Sequence, residues 1–359
     1  MDVQLPAELW LQIGGHLPRA DLSHLVRASH AFHSLLLPLL HRDIILSGPL
    51  GSTIDRAERV QAIRDSLERI GAKSELVPAV RSCTLNYLEG TLFEEVITFL
   101  GILPNLSSLF LNNLTIEVDQ LIRLSKSWRS SIEFTLSYTR VKPIDLPPSI
   151  IKETPPTLSS LTITGATLFQ TSWRLFVQWS FSTSLETLNF RTNREPILNA
   201  LFEEHIGALP KASFPRLKSL HLSTLPDREN QERIFDCMPM LENLYLEGHT
   251  TSRRRLNISE TAIPRLQRYE GLAINVLSLV PRRPVYRLRL SGQDELSTLW
   301  GPHTSPILNF GSTSTIRYLR LPPIADPLPS LQLITLVCPS LYELRLTRPY
   351  TSHISAVSL

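Results

Sequence analysis

The chain has 359 residues, 42% of them hydrophobic and 19% charged, with a formal net charge of +3 at pH 7. That length exceeds what one globular core ordinarily manages, so two domains or a repeat array is expected. The charge is too mild to call for a nucleic-acid partner, and no apolar run approaches the roughly 20 residues a membrane helix needs, the longest, around Leu35–Leu40, being broken by Pro38.

The start, Met1-Asp2-Val3-Gln4, lacks the basic-then-apolar layout of a secretory signal. An intracellular protein, cytoplasmic or nuclear, with no membrane role, is the expectation. Residues 1–46 are expected to form a small helical head. Pro6 suits a first helical turn, and Leu9, Ile13 and Leu17 fall on one stripe at four-residue steps. Asp21 fits the N-cap of a second helix through Leu22 and Leu25, and Phe32, Leu35 and Leu36 begin a third. Three short helices bury too little area to be firmly stable alone, so they need a partner or an adjoining domain.

This run resembles an F-box, whose pattern is Leu-Pro-x-Glu followed by Ile, Leu, Asp-Leu, Leu and Ser-x-x-Phe. Here the pattern is carried by Leu5-Pro6-Ala7-Glu8, Ile13, Leu17, Asp21-Leu22, Leu25 and Ser29-His30-Ala31-Phe32. Ala28 departs from it, standing where the family often has a larger aliphatic residue. The resemblance implies docking on the Skp adaptor of a Skp–cullin–F-box ubiquitin ligase, and through it on a cullin. Leu5 and Pro6 would then enter the adaptor's groove, with Leu9, Ile13, Leu22 and Leu25 adding apolar contact. A helical cap for the first repeat is the alternative role for the same residues.

Residues 47–78 carry Ala57, Val60, Ile63, Leu67 and Ile70 at helical steps and predict a bridging helix or linker. From residue 79 to 359 one motif recurs: apolar-x-x-apolar-x-apolar. Clear copies begin at Leu106, Leu158, Leu185, Leu217, Leu241, Ile316 and Leu341, and weaker ones at Val80, Ser131, Leu266 and Val285. Their spacing, mostly 24 to 27 residues, is that of a leucine-rich repeat, with one short strand and one helix per unit. Alternation puts two apolar side chains of each copy on one strand face. Between copies the period turns helical, as in Leu92, Val96, Ile97 and Leu100, in Val118, Leu121, Ile122 and Trp128, and in Phe169, Trp173, Phe176 and Val177. A proline two residues before the first apolar position (Pro78, Pro104, Pro156, Pro215, Pro239, Pro264, Pro339) ends each preceding helix. The expected fold class is therefore α/β: a three-helix F-box followed by a solenoid of about ten to eleven repeats, parallel strands inside and helices outside. Longer loops are expected within Leu185–Leu217 and Val285–Ile316. An F-box directly before leucine-rich repeats resembles a common adaptor layout, in which the repeats hold the substrate.

Residues between and after the strand leucines face the inner surface, so they indicate the ligand. The last four strands place Arg268, Arg287, Arg289, Tyr318, Arg320 and Arg345 there, against Glu270 and Glu343, whereas the first seven offer only Arg191 among neutral residues such as Thr162, Asn189, His221 and Tyr245. Guanidinium forks accept two oxygens at once, which suits an acidic or phosphorylated protein segment; a solvated face with local ion pairs is the plainer reading. The run Arg253-Arg254-Arg255 reads as a solvated loop.

Enzyme chemistry finds no footing. No phosphate loop, Gly-x-Ser-x-Gly elbow or His-Glu-x-x-His helix occurs, and in the closest histidine group, His24, His30, His33 and His41, the pair one turn apart, His30 and His33, lacks a carboxylate or thiol at ligand spacing. No cofactor, catalytic residue or metal is expected. Cys83, Cys237 and Cys338, scattered and without a Cys-x-x-Cys pair, predict free and mostly buried thiols. The sequons at Asn105, Asn113 and Asn257 matter only in a secreted chain.

Overall fold

Apolar residues at alternate positions, followed by an apolar stripe at helical spacing, form the same strand-and-helix unit along most of the chain. The computed structural model of the protein describes residues 5–49, 53–142, 156–191, 214–223, 228–247, 256–291, 315–322, 331, 334 and 338–347. It divides into two units, Met1–Ser184 and Leu185–Leu359.

The first unit opens with α1 (Ala7–His16), α2 (Arg19–Ala28) and α3 (His30–Leu40). Pro6 and Pro18 stand at the N-caps of α1 and α2, where a missing amide proton leaves no helical bond unmade. Asp21, expected as a cap, lies instead inside the first turn of α2, where its charge faces the positive end of the helix dipole. Ser29 caps α3, its Oγ accepting from the Phe32 amide at 3.1 Å. Leu22, Val26 and Leu36 form a small core with Leu25, Phe32, Leu35 and Leu39 packed against it.

Two residues after α3 the chain enters β1 (Asp43–Ser47), which crosses the boundary expected at residues 46 and 47 and pairs in parallel with β2 (Ser82–Asn86). Between them runs α4 (Thr53–Gly71), where the bridging helix was expected. The array continues through α5 (Gly90–Leu100), β3 (Ser108–Asn112), β4 (Thr115–Glu117), α6 (Val118–Lys126), β5 (Ile132–Ser137), β6 (Arg140–Lys142), β7 (Leu158–Thr164), β8 (Thr167–Leu168) and α7 (Gln170–Ser180). In the main sheet Leu46, Leu85, Leu111, Leu136 and Ile163 stand in register on β1, β2, β3, β5 and β7, each buried. Each such side chain contributes about 1.5–3 kcal/mol when fully buried, and only stacked neighbours supply that burial. The strands β4, β6 and β8 form a second, narrow parallel sheet. Successive helices are laced at their surface: Arg64 of α4 holds Glu95 of α5 through two bonds of 2.8 and 2.7 Å, and Arg123 of α6 holds Glu94 at 3.0 Å.

One backbone feature repeats with the strands. Tyr87, Asn113, Tyr138 and Gly165, each just past the end of a main-sheet strand, all lie in the left-handed region, with φ of 54°, 51°, 47° and 58°. The turn reverses the chain so that the next segment can leave the sheet.

The second unit contains β9 (Thr187–Arg191), β10 (Ser219–Leu222), α8 (Arg228–Asp236), β11 (Asn243–Leu246), β12 (Arg268–Leu272), α9 (Val276–Leu279), β13 (Arg287–Ser291), β14 (Tyr318–Leu321) and β15 (Glu343–Leu346). All pair in parallel, with Leu188, Leu220, Leu244, Tyr269, Leu288, Leu319 and Leu344 in one row. Tyr269 fits this buried row because its hydroxyl donates to the Leu272 carbonyl oxygen at 3.0 Å and accepts from Asn275 Nδ2 at 3.3 Å. The weaker motif copies at Val80, Ser131, Leu266 and Val285 lead into β2, β5, β12 and β13. Each unit is thus an α/β array of parallel strands in the manner of a leucine-rich-repeat solenoid. The expected longer loops fall mostly in residues 192–213 and 292–314, outside the described residues, as does Arg253-Arg254-Arg255.

Candidate functional site

Along β13 burial alternates, with Leu288 and Leu290 inside and Arg287, Arg289 and Ser291 outside. The same alternation on β12 and β14 lays the polar residues of neighbouring strands in two rows. Parallel register aligns Arg268, Arg287, Tyr318 and Glu343 in the first row, and Glu270, Arg289, Arg320 and Arg345 in the second. All six residues expected to bind a partner, Arg268, Arg287, Arg289, Tyr318, Arg320 and Arg345, together with Tyr245, Glu270 and Glu343, line one groove of about 200 Å³.

Its charges are unevenly matched. Arg289 pairs with Glu270 at 2.9 Å, and Arg345 contacts Glu343. Arg268 donates from Nε to the Tyr286 hydroxyl at 2.9 Å and lies 5.7 Å from that ring's centroid; the bond raises its pKa further above the ordinary guanidinium value. Arg287 sits 5.9 Å from the centroid of Tyr318. Tyr286, Tyr318 and Tyr342 meet edge to face in sequence, at 6.4 and 6.1 Å, an arrangement that aims positive ring edges at negative faces. Among the described residues no carboxylate lies within ion-pair distance of Arg287 or Arg320.

On β9 to β11 a second cluster stands on the same face. Arg191, His221 and Glu247 meet there: Arg191 Nε is 3.1 Å from His221 Nε2 and 3.1 Å from Glu247 Oε1, which is itself 2.9 Å from that nitrogen, and His221 stacks on Tyr245 at 5.4 Å. Burial, then the Arg191 charge, hold its pKa below the ordinary imidazole value, with the Glu247 bond acting against them. Nearby, Asn189 Oδ1 is buried with no hydrogen-bond partner among the described residues. Sequence reading named Asn189, His221, Tyr245 and Arg191 on this face and passed over Glu247, although it stands directly after Leu246 as Arg191 stands after Phe190.

The head residues divide differently. Leu5, Leu9, Leu11 and Ile13 are exposed on or beside α1, as is Pro6, while Gly14 packs against Leu36 and Leu39 of α3. Leu22 is buried in the head's own core and Leu25 is half-buried against it, so these two support α1 instead of offering surface.

Among the described residues no group of three or more His, Cys, Asp or Glu side chains is placed to hold a metal ion, and no helix is long and apolar enough to cross a membrane. Cys83, Cys237 and Cys338 are buried thiols in no disulfide. The groove can form charge-assisted hydrogen bonds to oxyanions, stack aromatic groups and donate from phenols.

No family model matches the chain, and no curated protein matches it. Among solved structures, a crystal structure of a TLR13–ssRNA13 complex is similar to it over 80% of this chain and 35% of that one, with 14% sequence identity and a TM-score of 0.37. The chain therefore spans little more than a third of that neighbour's length.

Proposed function

We propose that the protein is a non-catalytic recognition subunit of a Skp–cullin–F-box ubiquitin ligase, acting in the cytoplasm or nucleus. The head docks on a Skp-family adaptor and the strand face holds the protein to be modified. One observation carries this reading. α1 leaves Leu9, Leu11 and Ile13 about two-fifths exposed, beside an equally exposed Leu5, while its other side packs on α3 through Gly14. A helix with apolar residues on both sides is half-finished, and a partner groove completes it.

Co-expression with a Skp-family protein tests this. The two are expected to co-purify, and Leu5→Ala with Pro6→Ala, or Leu9→Glu with Ile13→Glu, should abolish the complex while the head stays folded. An undiminished complex in both variants, or none with the unaltered chain, overturns the docking assignment.

A second reading, an interaction scaffold with no ligase role, rests on the ladder of β12 to β15, whose two rows are complete without any contribution from the head. A partner held by that face in a chain that binds no Skp-family protein would favour it.

A further inference from the structure

Ion pairs in the first unit join Arg56 to Glu89, Arg64 to Glu95, and Arg123 to Glu94 and Asp119. Among the described residues no carboxylate pairs in this way with Arg19, Arg42, Arg69, Lys73 or Arg81, which gather where the head meets the first two strands. Arg19, the first residue of α2, donates to the Asp43 carbonyl oxygen at 3.2 Å. Arg42 and Arg81 each stand one residue before a strand, β1 and β2, and the Arg81 amide donates to the Arg42 carbonyl oxygen at 2.8 Å. Arg69 lies in the last turn of α4 and Lys73 just beyond it, close enough that both, with Arg19, act on the half-buried ring of His41. Burial first, and then those three charges, hold the His41 pKa below the ordinary imidazole value.

Helix dipoles compensate only part of this charge. Arg69 and Lys73 stand at the negative end of α4, but Arg19 stands at the positive end of α2, where a cation is repelled. Cations held near one another without a carboxylate repel in the free protein, and an anion laid across them removes the repulsion. We propose that Arg19, Arg69 and Lys73, flanked by Arg42, form a docking patch for a short acidic segment of a partner protein, laid along the joint between α3 and β1. Two features favour carboxylates on a protein over a nucleic acid or an anionic membrane. The patch is bounded: Asp43, Glu68 and Glu75, all exposed, stand beside it in the chain and repel a polyanion that runs past. The whole chain carries a net charge of only +3, whereas surfaces that track a phosphate backbone or a bilayer are basic over an extended stripe. Carboxylates one helical turn apart on a partner, about 5–6 Å at their Cβ atoms, reach several of these cations at once. The patch uses none of the strand-face arginines of β12 to β15 and none of the apolar residues of α1, so it stands or falls apart from both.

Fluorescence anisotropy of a labelled octaglutamate peptide with the full chain tests this. Binding is expected at low salt and should vanish near 1 M salt, where charges are screened beyond about 3 Å. Arg69→Glu with Lys73→Glu should weaken it by about tenfold, and Arg69→Gln with Lys73→Gln, which puts no anion at a helix end, by about threefold. Arg216→Glu with Arg265→Glu changes the net charge as much as the first variant does, at exposed positions of the second unit, and should leave binding unaltered. An equal loss in that control would assign the effect to net charge and overturn the patch. Undiminished binding in both the Glu and the Gln variants of Arg69 and Lys73, or no binding by the unaltered chain, would overturn it too. A labelled oligothymidylate of equal charge, or vesicles containing phosphatidylserine, held more tightly than the peptide and released in the same variants, would overturn the acidic protein segment in favour of that polyanion.

Discussion

Arg283 donates from Nη2 to the carbonyl oxygen of Ser259 at 2.7 Å. Its Nε reaches the Ala262 carbonyl at 3.0 Å, and Nη1 reaches those of Ser278 and Leu279, the last residues of α9, at 2.7 and 3.2 Å. The side chain is only 2% exposed, and burial pushes its pKa below the ordinary guanidinium value. A buried cation held by neutral oxygens, two of them at the negative end of a helix, fastens α9 to the turn before β12. Replacing Arg283 with Met is expected to strand those carbonyls and cost about 3–5 kcal/mol in urea unfolding. Arg283→Lys keeps the charge but not the fork and should fall between. A loss below about 1 kcal/mol in the Met variant would show that the carbonyls find other partners.

Gly165 carries the left-handed turn after β7 under the ring of Tyr138, which occupies the equivalent turn after β5. A Cβ at Gly165 would stand 2.8 Å from two ring carbons. Gly165→Ala therefore combines a backbone cost with a clash, and thermal unfolding should report a loss of about 1–2 kcal/mol. Adding Tyr138→Ala removes the clash and should recover part of it; no recovery would leave the backbone as the whole cause.

His221 predicts a pH dependence. Its folded pKa lies below the ordinary value of 6.5, through burial and Arg191, against Glu247 and the more distant Glu270. Above 6.5 the imidazole is neutral in both states and its contribution is complete; as pH falls below that value the unfolded chain takes up the proton first, and stability declines. His41 has the same sign, from burial and then Arg19, Lys73 and Arg69. Denaturation midpoints should fall between about pH 7 and 5, and His221→Gln should flatten part of that slope. An unchanged slope in that variant would assign the dependence elsewhere.

The three thiols should be silent in the native protein. Burial pushes Cys83 up to about 12 and Cys338 to about 11, so almost no thiolate forms near neutrality. A colorimetric thiol reagent at about pH 8 is expected to titrate none of Cys83, Cys237 and Cys338 until denaturant is added, and then all of them. Rapid reaction of native Cys83 would mean that its strand row opens readily.

Much of the array was legible because a strand face with two leucines at fixed spacing has no other economical use. The weak copies were legible for the same reason: Phe134 and Tyr269 fill leucine positions with different shapes, yet keep the alternation. β1 escaped notice because His41 stands where its first apolar residue belongs, leaving only Ile44 and Leu46 to mark it. The narrow sheet was equally faint, since Ile116, Val141 and Leu168 are its single buried side chains per strand. At the candidate site the sequence placed the arginines on one face, because alternation fixes sides. It did not give that Arg289 is neutralised by Glu270, because that depends on the register between two separate strands. Arg283, in a Pro-Arg-Arg-Pro run, reads as surface and is buried; no local pattern marks a cation whose partners are all carbonyl oxygens.

Only His41 and Arg42 separate α3 from β1, and Arg19 of α2 donates across the gap to the Asp43 carbonyl oxygen at 3.2 Å. So short and braced a joint leaves little room for a swivel. Whatever grips α1 grips a handle fastened to the first rung of the ladder, and torque applied at the head is passed to the neighbouring strands with little lost in a slack tether.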